Sequence, residues 1–538
     1  MKLGRWRASA LMLAAMMAAP VGAIAATPAD QIVIGDNLNT IVSLDPAAKT
    51  GPESSEILTN VYDFLVEVDP VNPLNIKPSL AKSWEVSPDG NKLTFHLRDD
   101  VKFHSGNPLT AADFLWGFER ALALDLNQAT AWKSFGFTKD NYTKQITAPD
   151  PYTIVIDLPK PTDPKLVIYL LSSNMVSAFL DSKLAKEHIA NNDYAAAWLD
   201  SNDAGSGPFK LTRWDANDVV ILDRFDGYWQ TPALMKRVIF RNMPESQAQR
   251  FALEKGDIDV ATALSVPDIT ALQSNKDVAV QSSPGSNYYY LAVNMKDERF
   301  QKRDVRMALR YLIDYDNINK TIMPFYGVYH QRPIRIGEVG SLPDPGYKLN
   351  VTYAKKLLAE AGYPDGFECT MLVLSNTPWL ETGTAIQATL ALGGIKANIV
   401  QGGSDQVYGP MSNRQFDIVV GRGGGGGGDG APDPYGSLRS SVYNPDNSDE
   451  AKLTSYAGWR TSFFDDTINK LIDAAVLERD PAKQREMYEA VQLRYEDLVP
   501  SIQPISQAVY TVVLRADVKN YHYPSTWQVR YREVSKSR

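Results

Sequence analysis

Five histidines stand at 96, 104, 188, 330 and 522. No pair has the i, i+4 spacing that, with an intervening Glu, builds a helical zinc site. Ser79-Leu80-Ala81-Lys82 matches the Ser-x-x-Lys pattern of acyl-transfer serines, and Lys49-Thr50-Gly51 matches its Lys-Thr-Gly partner. Their order is reversed for a penicillin-recognising enzyme, no Ser-Asp-Asn lies between them, and no Gly-x-Ser-x-Gly elbow occurs. Gly421-Arg422-Gly423-Gly424-Gly425-Gly426 satisfies G-x-G-x-x-G formally. That motif works only where a helix follows and aims its N-terminal N–H groups at a pyrophosphate. Here Pro432 and Pro434 come next, and proline in a helix interior removes the needed bonds. The six glycines 423–428 are either a flexible surface loop or a side-chain-free wall beside a bulky ligand. Trp379 and Trp459 are read as loop tryptophans, where ligand-facing groups concentrate, against the alternative that they are core.

The elements that must position these groups alternate irregularly along the chain. Gln31–Ile34 reads as a buried strand, and Lys92–Arg98 as a half-buried strand with Leu93, Phe95 and Leu97 inward. A second short strand is expected at Val101-Lys102-Phe103, and another at Tyr152–Leu158. Thr110 is the expected N-cap of a helix presenting Phe114, Leu115, Phe118 and Leu122 on one face. Helices are expected at Arg303–Ile313, Thr352–Ala361 (stopped by Gly362), Thr382–Leu392, Asp465–Glu478 and Pro481–Leu498. Ile395–Val400 and Phe416–Val420 read as strands. Gly205-Ser206-Gly207-Pro208 and Pro284-Gly285 look like crossings between lobes. The pattern is that of a mixed α/β or α+β chain in several lobes.

Composition bounds the function. The 538 residues are 44% hydrophobic and 22% charged, proportions that exclude disorder and a multi-span membrane protein. One Cys excludes internal disulfides and multi-Cys metal sites. The net charge of −8 argues against nucleic acid or an anionic membrane as partner. Lys2, Arg5 and Arg7 precede an apolar run, Ala8–Ala19, that is too short to span a bilayer. Ala23-Ile24-Ala25 then offers small residues to a signal peptidase, so cleavage is expected after Ala25. Loss of the three leader cations takes the charge from −8 to −11. A free protein of a bacterial periplasm follows.

The run Leu80-Ala81-Lys82-Ser83-Trp84-Glu85-Val86-Ser87-Pro88-Asp89-Gly90, then Leu93–Arg98, Val101–Gly106 and Leu109–Asp113, resembles the family 5 extracellular solute-binding proteins. These are the dipeptide and oligopeptide receptors of ATP-driven importers. Ser43–Pro46, Gly205–Phe209, Asp226–Trp229, Asp304–Leu309 and Thr352–Leu358 before Ala361-Gly362-Tyr363 carry the same resemblance. It implies a periplasmic-binding-protein-like fold of two main lobes plus an extra subdomain around a hinge-closed cleft. Lobe I would be discontinuous (26–74, 200–285 and 505–538), lobe II would span 75–199 and lobe III 286–504. It further implies a monomer that needs no cofactor, binds a peptide or peptide-like solute, and docks on an importer permease in the inner membrane.

The resemblance also implies site residues. Asp429, ahead of Asp433-Pro434, matches the aspartate that pairs with a peptide's amino group, with one residue more in the spacing and glycines where an aromatic is expected. Thr50-Gly51-Pro52-Glu53 matches the cleft-facing loop of lobe I. No Arg lies between Cys369 and Val400, where dipeptide receptors place their carboxylate clamp, and Trp379 stands there instead. Arg335, Arg422 or Arg460 is left to take that role. An opine, oligosaccharide or aromatic solute is therefore the alternative guest. The rival classes are an exported hydrolase and a sensor or folding helper.

Overall fold

The computed structural model describes residues 27–48, 51–70, 72, 74–423, 433–523 and 529–537. The leader and its cleavage site lie outside the described residues, as do Thr50, Asp429 and the glycines from 424 to 428. No helix among the described residues is long and apolar enough to cross a membrane.

One eleven-stranded sheet runs through the molecule. In chain order its strands are β1 (Gln31–Asp36), β2 (Phe209–Asp215), β3 (Val219–Arg224), β4 (Arg237–Asn242), β5 (Val260–Ala261), β6 (Val278–Val293), β7 (Gly327–Tyr329), β8 (Glu368–Leu374), β9 (Lys396–Gly402), β10 (Ile418–Gly423) and β11 (Ile502–Arg515). In space they lie in the order β9-β8-β10-β6-β11-β5-β1-β4-β3-β2, with β7 paired to β11. β1 is buried along Ile32, Val33 and Ile34 and pairs in parallel with both β4 and β5, so its apolar run needs no alternation.

β6 and β11 are long and pair along two stretches. Val278–Pro284 pairs with Val509–Arg515 beside β5. Tyr288–Ala292 pairs with Ile502–Gln507 beside β10. The register shifts between Pro284 and Tyr288, and the boundary expected at 285/286 falls inside that irregularity. A Cβ on Gly285 would stand 2.9 Å from the Ala508 carbonyl oxygen, so the two backbones approach here as only glycine allows.

A separate four-stranded antiparallel sheet is ordered Ala81–Val86, Lys92–Leu97, Thr153–Asp157, Ile146–Asp150. Leu93, Phe95 and Leu97 point into its core as the alternation predicts. Val101–Phe103 does not form a strand: a single bridge, Lys102 to Pro108, is all that pairs, because the chain turns back within six residues.

The helices used below are α1 (Gly51–Val61), α2 (Ala111–Ala123), α3 (Ala129–Ser134), α4 (Arg303–Tyr311), α5 (Val351–Glu360), α6 (Trp379–Leu392), α7 (Pro434–Ser441), α8 (Ala457–Arg460), α9 (Asp466–Ala475) and α10 (Pro481–Asp497). Thr110 caps α2, and the Asp113 carboxylate accepts its backbone N–H at 2.9 Å. Phe114, Phe118 and Leu122 are buried on one face, with Phe118 edge-on to Trp132 at 4.8 Å. α5 ends where Gly362 adopts φ +91°. α6 begins at Trp379, three residues before the expected start, and α8 takes in Trp459, so neither tryptophan is a loop residue.

A buried ion pair ties α2 to the segment ahead of α1. Arg120 of α2 meets Asp45 through two N–H···O bonds of 2.8 and 2.7 Å, both side chains 1% exposed. In lobe III, Val305 and Leu309 of α4 pack under β6 and β8 with the one cysteine, Cys369. Burial and the Asp417 charge push the Cys369 thiol up to about 12. His104 and His330 serve as struts: His104 Nε2 bonds the Gly207 carbonyl at 2.9 Å while Nδ1 faces Asp203, and His330 Nε2 bonds Ile334 O at 2.7 Å.

Candidate functional site

The lobe I face of the cleft is acidic. Asp36 ends β1, Glu53 lies in the first turn of α1, and Glu56 follows one turn later at i+3. Asp36 accepts from the Asn37 N–H at 2.8 Å and from the Thr262 hydroxyl at 2.6 Å, yet burial raises its pKa. Glu56 is 2% exposed and accepts the Tyr531 hydroxyl. Burial, then the Asp36 charge, pushes Glu56 up to about 8. The same two causes push Glu53 up to about 7, opposed by the backbone amides at the start of α1, by Thr40 and by Arg422. With burial raising all three and the Asp36 charge raising both glutamates, the three carboxyls are not all ionised at neutral pH.

The lobe III face is basic and aromatic. Arg422 sits on β10 opposite Tyr289 of β6, exposed, with its guanidinium 5.5 Å from the centre of the Trp379 ring. Its backbone N–H donates to the Tyr408 hydroxyl at 3.1 Å. Arg422, Arg460, Tyr408 and Asn287 line one cavity of about 280 Å³. Asn287 comes from the register irregularity of β6 and donates to the Tyr510 hydroxyl at 3.0 Å. Thus the strand crossing itself forms part of the cavity wall. Among the described residues, no carboxylate forms an ion pair with Arg422 or Arg460. Arg460 Nε and Trp379 Nε1 are buried without a hydrogen-bond acceptor there, and buried donors are normally satisfied. Arg422 nevertheless acts on Glu53 electrostatically, so the acidic and basic faces confront each other.

Of the residues expected from the sequence, Glu53, Trp379 and Arg460 are gathered at this cleft. Gly51 opens α1 beside Glu53, where an added Cβ would sit 3.0 Å from the Glu53 carboxylate. Asp433 is the N-cap of α7, accepting the Tyr435 N–H at 2.8 Å, and burial pushes it up to about 6. The charges that act on it are those of Glu338, Asp163 and Arg335. Trp459 is 4% exposed. Its indole N–H donates to Ser448 O at 2.8 Å and Arg414 covers its ring at 4.6 Å, so its position in the structure is a packed one. Arg335 is committed to Glu338 in a buried ion pair, which leaves Arg422 and Arg460 as the available cations.

Asp36, Glu56, Tyr408 and Asn287 were not legible as site residues. Two signals pointed at the first pair: the i, i+3 spacing of Glu53 and Glu56, and the position of Asp36 at the carboxyl end of a buried parallel strand, where α/β sheets bind ligands.

The profile of the bacterial extracellular solute-binding proteins, family 5 (middle), matches residues 75–449. The chain is 28% identical over 503 residues to the probable D,D-dipeptide-binding periplasmic protein of Escherichia coli K12, covering 92% of each. In structure it resembles the ABC transporter-associated periplasmic binding protein of Helicobacter pylori in complex with the peptide STSA. The TM-score is 0.78 at 25% identity, over 94% of this chain and 98% of that one. A binding protein from A. tumefaciens R10 in complex with agropinic acid shares the fold, with a TM-score of 0.75 at 24% identity over 94% and 99%.

Proposed function

The chain belongs to the family 5 bacterial extracellular solute-binding proteins, and from that premise we propose that it is the periplasmic receptor of an ATP-driven importer for a zwitterionic, peptide-like solute. The observation that carries the reading is the pairing of two guanidinia, Arg422 and Arg460, that have no acid partner among the described residues, on one cavity across from Glu53. A carboxylate of the guest takes the arginines, where charge-assisted bonds are strong. An ammonium takes Glu53, and Asp429, outside the described residues, is the second candidate for it. Trp379 offers a ring face beside Arg422. A guest that touches both lobes binds the closed form better, and the population shifts toward closure. The permease then reads the closed shape, and the guest is released unaltered. Cleavage after Ala25 frees the mature protein.

An opine is the second reading. Two arginines on one wall suit a guest with more than one carboxylate, and the aromatic floor tolerates a non-peptide body.

Mass spectrometry of the solute that copurifies, followed by thermal-shift titration of peptides, opines and sugars, tests both. Zwitterions are expected to stabilise the protein and their carboxamides to fail. Arg422→Ala is expected to cost about 1.5–3 kcal/mol of guest affinity, roughly ten- to a hundredfold. Equal stabilisation by neutral sugars, undiminished affinity in Arg422→Ala, or turnover of a peptide by purified protein refutes the reading.

A further inference from the structure

A second cavity, also about 280 Å³, opens where lobe II meets lobe III. Its lobe II wall is α3 with Phe135, and its lobe III wall is α7 with the Ser455-Tyr456 turn. It shares no lining residue with the cavity at Arg422. Three aromatic side chains, Phe135, Tyr435 and Tyr456, line it around a single guanidinium, Arg439.

That guanidinium donates hydrogen bonds to neutral partners. Arg439 Nη2 donates to the Tyr456 hydroxyl at 2.7 Å and to the Ser134 carbonyl at 3.3 Å, the latter across the lobe boundary. The ring centres of Tyr435 and Tyr456 lie 5.8 and 5.4 Å away. Among the described residues no carboxylate forms an ion pair with it. A second cation, Lys160 of lobe II, lies close enough that burial and the Arg439 charge hold its ammonium below the usual range. Lys133, the remaining cation of the wall, is already paired to Asp125. Asp473 also enters this electrostatic group: it acts on Lys160 and accepts the Tyr443 hydroxyl at 3.0 Å. An apolar, concave, aromatic-walled space with one convergent cation is the ordinary form of a small-molecule site. A solute with an aromatic body and a negative charge complements such a lining.

We propose that this cavity binds a small aromatic carboxylate, its ring between Phe135, Tyr435 and Tyr456 and its carboxylate on Arg439. The site is separate from the cleft and does not depend on the identity of the cleft guest. It is built half from lobe II and half from lobe III, so its occupant favours the approach of those lobes. The two sites then assist each other: each ligand raises the affinity for the other by the same factor, as linkage requires.

The probes are 3-phenylpropionate and, as the neutral control, 3-phenylpropionamide, titrated into the full mature chain by calorimetry and ligand-observed NMR. Saturable binding of the acid is expected, with the amide weaker by about tenfold or more. Arg439→Gln removes the charge. Ser440→Trp fills the cavity from a half-buried position on α7 while keeping Arg439. Both are expected to abolish binding of the acid, and Arg422→Ala is expected to leave it intact. If Arg439→Gln fails to fold, Ser440→Trp decides alone. Absence of saturable binding overturns the proposal, as does equal affinity for acid and amide. So does binding that Arg422→Ala destroys and Ser440→Trp spares, which places the probe in the cleft and leaves the reading of the cleft standing.

Discussion

Glu56→Gln isolates the acidic face of the cleft. The carboxyl is 2% exposed and accepts the Tyr531 hydroxyl, a bond that the amide oxygen of Gln can also accept, so shape and hydrogen bonding are kept. Only the capacity to ionise is removed. In the unfolded chain Glu56 releases its proton near the ordinary 4.5, and in the folded chain near 8. The folded state therefore holds the extra proton between those values, and stability falls as pH rises through that window. Below 4.5 the contribution is fully present; above about 8 it is gone. At about 1.4 kcal/mol per pH unit, the wild type loses about 3 kcal/mol against Glu56→Gln between about pH 5 and about pH 8. The assay is urea unfolding of both proteins at the two pH values, followed by tryptophan fluorescence, with equal m-values required before the difference is taken. A gap that changes by less than about 1 kcal/mol refutes the argument, since Glu56 would then be no harder to ionise in the fold than out of it.

Three other outcomes follow from named contacts. Glu53 is poised at about 7, so a guest ammonium docking against it is expected to drive proton release near neutral pH; calorimetry in buffers of different ionisation enthalpy reads this, and buffer-independent heats refute it. Arg120→Met leaves Asp45 buried without its partner and is expected to cost about 3–5 kcal/mol in urea unfolding, whereas Arg120→Met with Asp45→Leu recovers much of that loss. Gly285→Val pushes a side chain against Ala508 O and the Tyr510 ring, so the strand crossing is expected to splay and guest-induced contraction in small-angle scattering to shrink; an unchanged contraction counts against a hinge at this point.

Periodicity and caps made the local elements readable. The alternation in Lys92–Leu97 and the Thr110–Asp113 box are nearest-neighbour effects, and the structure contains both. Val101–Phe103 failed because a strand is defined by its partner, and the partner there is one residue of a tight turn. The expected loop placement of the two tryptophans failed: Arg414, which covers Trp459 within α8, lies 45 positions away in sequence, and α6 starts at Trp379, on the residue after Pro378. Asp36 and Glu56 escaped, and only Glu53 was visible, because the Asp36 charge reaches the two glutamates only once β1 and α1 are packed together. Arg422 was visible as a candidate, but its choice over Arg335 needed the Glu338 contact to be seen.

The single thiol has a practical consequence. Cys369 is buried, and a thiol that ionises near 12 presents about one thiolate in 100,000 molecules at neutral pH, so it is a poor nucleophile toward disulfides and maleimides alike. An oxidising compartment has little to react with, and unwanted cross-linking between copies is suppressed. For the spectroscopist, cysteines introduced one on each lobe would be the only reactive labels on the native protein. The distance between two dyes could then be followed as the halves swing together, with no background substitution required.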